Sequence, residues 1–151
     1  MTAFKPQDPH FAERVAASFQ RQTVMATLGA QLRQVTPGAV EIVLPYRADL
    51  CQQHGFMHAG MLTAVVDSAC GYAALSLMPP EVGVLSVEFK VNLLAPAAGE
   101  QFIARGKVMR SGRSISVCTG EVIALAQGTE KLVALMQATL MAVAGQAGIR
   151  D

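Results

Sequence analysis

The sequence is short of charge. Only 15% of its 151 residues are charged against 52% apolar, a balance that excludes a disordered chain, because so much apolar surface does not stay solvated. The same balance predicts more burial than a monomer of this length supplies by itself, with an oligomer as the outlet. The formal net charge is +1, from Lys and Arg residues scattered without the stripe that a phosphate backbone requires, which argues against nucleic acid as a partner. Cysteine is scarce and unorganised. Cys51, Cys70 and Cys118 are odd in number and have no C-x-x-C spacing, so neither a disulfide framework nor a zinc site is encoded, and a reducing, cytoplasmic compartment is expected. The opening MTAFKPQDPHF has no apolar core of a secretory signal. Repeats, linkers and low-complexity segments are missing too, so the chain reads as one domain over 1–151, with an N-terminal helix at about 9–22 and a core at about 23–143.

One long apolar run is present, from Ala59 to Met78. It approaches the ~20 residues of a bilayer span. Asp67 near its centre would cost roughly 2.5–3.5 kcal/mol on insertion, and the segments on both sides alternate as soluble strands do. A membrane span is therefore not expected.

Elsewhere the chain divides readily. Asp8-Pro9 predicts a helix start, and Phe11, Val15 and Phe19 recur at helical spacing to about Gln22. Thr23 to Val35 has a weak strand-like pattern, and Thr36-Pro37-Gly38-Ala39 turns it into a second strand carrying Val40, Ile42 and Leu44. The apolar run is helical and is expected to stop at Met78-Pro79-Pro80. Four strand candidates follow, at roughly 83–94, 100–110, 114–126 and 131–143, the last two being antiparallel neighbours. A helix that is apolar on almost every side is best buried by one antiparallel sheet wrapped around it, which makes the class α+β.

The chemistry concentrates between His54 and Gly71. Gly60 at a helix start presents free backbone N–H groups and the positive end of the helix dipole, suited to an oxyanion or a polarised carbonyl. Taken alone, His58 reads as an ordinary surface or core histidine, and Gly55 and Gly60 as turn formers; their value is in combination. Asp67 is harder to treat as structural, since a carboxylate in an apolar helix must find partners, neutralise, or cost several kcal/mol. Nine residues separate His58 from Asp67, placing them ~13 Å apart along the axis and on opposite sides. If both act on one atom, the carboxylate comes from a second copy of the chain.

His58-Ala59-Gly60, then Asp67 in a small-residue helix, then Ser86-Val87 and Pro96 at fixed spacing, together with the Arg110-Ser111-Gly112-Arg113 turn, resemble the hotdog-fold acyl-CoA thioesterases of the PaaI-like group over about 40–143. The resemblance implies a hotdog fold, with the sheet wrapped around the central helix, and homodimers or homotetramers with sites at the dimer interface. It implies that the amide of Ala59 or Gly60 polarises a thioester carbonyl and that the partner's carboxylate at Asp67 serves as general base or nucleophile. Ser86 would help to hold the water and His58 would lie beside the thioester. Acyl-CoA is the implied substrate, with no metal and no separate cofactor. Two positions depart from the family's pattern. Ala59 stands where Gly is usual, and Gln52, six residues before His58, stands where Asn is frequent. Met57 and Met61 are expected to contribute to the pocket wall, and Lys90, Arg110 and Arg113 to meet CoA phosphates. Two other readings use the same residues: a hotdog hydratase or dehydratase, which would need a histidine–carboxylate pair, and a non-catalytic acyl-CoA-binding module, which would not need Asp67.

Overall fold

The computed structural model describes residues 4–149 and 151. In chain order the elements are α1 (Phe11–Arg21), α2 (Thr23–Leu28), β1 (Gln31–Thr36), β2 (Ala39–Pro45), a 3-10 turn (Ala48–Leu50), α3 (Ala59–Leu75), β3 (Gly83–Leu93), β4 (Gln101–Ser111), β5 (Ile115–Ala126) and β6 (Thr129–Val143). The six strands form one antiparallel sheet in the order β1-β2-β4-β5-β6-β3. It wraps around α3, as the apolar character of that helix predicts: Leu62, Val65, Val66, Ala69, Cys70, Tyr72, Ala73, Ala74 and Leu75 are all buried.

Gly106 sets the depth at which the helix lies on the sheet. A Cβ at this position on the central strand β4 would stand 2.3 Å from the backbone of Ala69, so only glycine lets α3 and β4 approach this closely. Asp67 lies on the turn of α3 that this contact holds down.

Three boundaries differ from expectation, each for a local reason. The helix expected at Asp8-Pro9 starts at Phe11, because the Asp8 carboxylate accepts from the His10 N–H (2.8 Å) and so caps the preceding turn, while its other oxygen pairs with Arg14 (3.1 Å). The weak strand expected over Thr23–Val35 is the short helix α2 followed by β1. Met25 and Leu28, three residues apart, are buried on one helical face, and Gly29 ends the helix in the left-handed region (φ 71°). The central helix ends at Leu75, before the two prolines. Arg14 gathers the carbonyls of Leu75 (2.9 Å), Met78 (3.1 Å) and Pro79 (2.7 Å), so side-chain donors satisfy the end of the helix and the prolines fall in the exit turn.

The β5–β6 hairpin turns at Gln127 (φ 49°) and Gly128 (φ 79°), the positive-φ pair expected of a two-residue hairpin loop. At the other end of the sheet, the edge strand β3 leaves Leu85, Val87, Phe89 and Leu93 exposed. Among the described residues no helix is long and apolar enough to cross a membrane.

Candidate active site

His58 is the N-cap of α3. Its backbone is extended (φ −63°, ψ 135°), and its Nδ1 accepts the Gly60 N–H at 2.9 Å. An accepting Nδ1 leaves the proton of the neutral ring on Nε2. Of the two amides expected to polarise a carbonyl, Gly60's is therefore taken by this cap. The N–H groups of Met61 and Leu62 point back to the His58 carbonyl. The Ala59 N–H has no partner among the described residues, and it is this amide that the helix start leaves free.

Ala59 lines a cavity of about 320 Å³ with Gln52, Phe56, Met57, Leu93 and Pro96 among its walls. The Gln52 Oε1 accepts the His54 N–H. That bond fixes the orientation of the carboxamide and leaves the Nε2 donor unengaged among the described residues. Two open donors, the Ala59 amide and Gln52, thus border one mainly apolar hollow. Met57 is buried in its wall, whereas Met61 packs partly buried against the core and does not line it.

Asp67 lies on the side of α3 that faces β3. The row across the sheet that pairs Ser116 with Leu140 and Leu140 with Ser86 brings Ser86 under the helix, and a bulge follows immediately, between Ser86 and Glu88. The Ser86 hydroxyl donates to Asp67 Oδ1 at 2.8 Å. The second carboxylate oxygen has no partner among the described residues. Burial raises the Asp67 carboxyl above the usual carboxylate range, and the hydrogen bond from Ser86 offsets part of that rise. A second cavity, of about 120 Å³, opens here, lined by Asp67 and Ser86 with Gln22, Ser68, Tyr72 and Asp151 among the others. The two buried cysteines, Cys70 and Cys118, do not supply a rival nucleophile. Burial pushes the thiol of Cys70, one turn along from Asp67, far above its ordinary value and that of Cys118 up to about 12.

The two cavities share no lining residue, so within one chain the donors at the helix start and the carboxylate at Asp67 belong to separate hollows, as the nine-residue spacing predicts. Ser86 and Asp67 are brought together; His58, Ala59 and Gln52 form the other group. Lys90 pairs in register with the exposed Gln137 and stands on the sheet face away from α3, while Arg110 and Arg113 flank the β4–β5 turn. All three are exposed, and none lines either cavity. Gln22, Ser68, Tyr72 and Asp151 were not candidates from sequence. Among the described residues no three His, Cys, Asp or Glu side chains are gathered as a metal site.

Comparison with known proteins agrees with this architecture. The sequence model of the thioesterase superfamily matches residues 54–131, which include His58, Ala59, Asp67 and Ser86, while Gln52 lies just before the match. A thioesterase family protein of Silicibacter pomeroyi is 53% identical, superposes with a TM-score of 0.88, and is matched over 89% of this chain and 99% of its own. The E. coli PaaI protein from the phenylacetic acid degradation operon is 20% identical with a TM-score of 0.81, over 93% of this chain and 98% of its own. A thioesterase of Haemophilus influenzae is 17% identical with a TM-score of 0.79, over 97% and 99%. At the identities of the last two, the likeness is one of fold.

Proposed function

The chain belongs to the thioesterase superfamily, and from that premise we propose that it hydrolyses an acyl-CoA thioester to a carboxylic acid and CoA, at a site assembled from two copies of the chain. The observation that carries this reading is Asp67: a half-buried carboxylate with one oxygen held by Ser86 and the other open to a cavity. A structural carboxylate in an apolar helix would have both oxygens satisfied. This one keeps a lone pair for a water molecule or for the carbonyl carbon itself.

In the proposed mechanism the thioester oxygen lies against the Ala59 N–H and the Gln52 carboxamide of one chain, whose fixed dipoles favour the negative charge that develops as the carbonyl is attacked. Asp67 of the second chain takes the proton of the attacking water as the C–S bond breaks, or attacks the carbonyl carbon itself to give a mixed anhydride that water then hydrolyses, and in both routes the thiolate of CoA departs. Ser86 holds the carboxylate in place. The exposed apolar edge strand β3 supplies a surface on which two copies could pair, either as a homodimer or as part of a homotetramer. A hydratase would need a histidine paired with a carboxylate, and among the described residues no carboxylate meets the His58 ring, whose Nδ1 is held in the helix cap. CoA is the only coenzyme invoked, as part of the substrate. The free cysteines favour a reducing compartment, and we place the reaction in the cytoplasm.

The test is thiol release from a panel of acyl-CoAs by the parent chain and by Asp67→Asn, which keeps the shape and loses the basicity. Turnover should fall by roughly 10²- to 10⁴-fold, the range for loss of a general base. Parent-level hydrolysis by the Asn variant would remove Asp67 from the mechanism.

A further inference from the structure

The cavity beside Asp67 is bordered on one side by a part of the chain that the catalytic motif does not include. After β6 the chain turns back, and Ile149 lies so close to the start of β3 that a Cβ on Gly83 would stand 2.5 Å from its side chain. The Asp151 carboxylate then ties two elements together: Oδ1 accepts from the Ser18 hydroxyl of α1 (2.6 Å) and Oδ2 from the Val84 N–H of β3 (2.8 Å). Asp151 also lines the 120 Å³ cavity with Gln22, Ser68 and Tyr72. The hollow is thus small, and several of its walls are polar.

We propose that this cavity receives the acyl group, and that the Ser18–Asp151–Val84 latch limits its length, making Asp151 a specificity-determining residue for compact acyl groups. The proposal rests on the thioesterase reading. The carbonyl carbon must come within reach of Asp67, so one of its two substituents enters the space that Asp67 lines and the other passes along the Ala59 hollow of the second chain toward solvent. CoA, a nucleotide joined to a pantetheine arm, cannot enter a cavity of about 120 Å³; a short acyl chain can. The volume is slightly below the roughly 150 Å³ that accommodates one benzene molecule. A long alkyl chain would overrun it and meet the Asp151 carboxylate, which would then lose its hydrogen bonds or be buried against hydrocarbon.

The experiment compares kcat/KM across acetyl-, butyryl-, hexanoyl-, decanoyl- and dodecanoyl-CoA for the parent, Asp151→Ala and Ser18→Ala. The parent should prefer butyryl or hexanoyl to dodecanoyl by about tenfold or more. Either variant should raise the dodecanoyl-to-butyryl ratio by about tenfold, because each opens the latch from a different side. A parent that prefers dodecanoyl-CoA, or variants that slow every chain length by one common factor, would overturn the proposal, the latter result being what a merely structural Asp151 produces. Should no acyl-CoA release thiol, the hydrolytic reading fails separately, and calorimetric binding to the Asp67→Asn chain still decides the cavity. Tighter butyryl-CoA than dodecanoyl-CoA supports the latch; equal or reversed affinity contradicts it.

Discussion

Asp67 combines two opposed environments, of which burial is the stronger. Desolvation raises its carboxyl, while the Ser86 hydroxyl, donating to Oδ1, favours the ionised form. A base must be ionised to act, so kcat/KM should fall on acidification through a pKa above the ordinary carboxylate value of about 3.9. Ser86→Ala removes the favourable bond and should move this acid limb to higher pH; an unchanged or lower limb in the pH–rate profile would contradict the assignment. Stability follows the same shift. A carboxylate whose folded pKa is raised binds more protons folded than unfolded between the two values, so stability is lost as pH rises through that window and stays lower above it. Asp67→Asn should accordingly melt higher than the parent at neutral pH, with the gain disappearing below the ordinary carboxylate pKa. His58, Ala59, Gly60, Asp67 and Ser86 were legible together because their order and spacing carry the family resemblance. Gln22 and Asp151 were not. Gln22 meets Ser68 across 46 positions and Asp151 meets Ser18 across 133, and no local pattern records such contacts.

At the scale of elements, α3 and β4 form the frame of the site, since their backbones touch where Gly106 lies under Ala69. Gly106→Ala would force the helix off the sheet. Overpacking of this kind costs about 1–3 kcal/mol, and a backbone contact lies at the upper end, so chemical denaturation should show a loss of that size, with reduced turnover because Asp67 rides on the displaced helix. A variant as stable and active as the parent would mean that the contact relaxes freely. The long central helix and the last four strands were readable from periodicity because each is long and bounded by Pro or Gly turns. Short α2 was not: six residues give less than two turns of pattern, and tertiary packing of Met25 and Leu28 decides their conformation. The end of α3 was misplaced for a related reason, as Arg14, remote in sequence, satisfies its carbonyls.

For the whole molecule, the proposed site takes its amide from one chain and its carboxylate from another. The helix start provides a clean variant. Ala59 is the first residue of α3, where proline is well tolerated, and His58 before it already has the extended backbone that a following proline requires. Ala59→Pro therefore removes the N–H of the helix start that has no partner among the described residues, while leaving the helix intact. Mixing Ala59→Pro chains with Asp67→Asn chains, after confirmed subunit exchange, should make about half the dimers mixed, each with one doubly damaged site and one intact site. Two nearly inactive proteins should then recover about a quarter of parent thioesterase activity on mixing; complete exchange with no recovery would mean that both groups act within one chain.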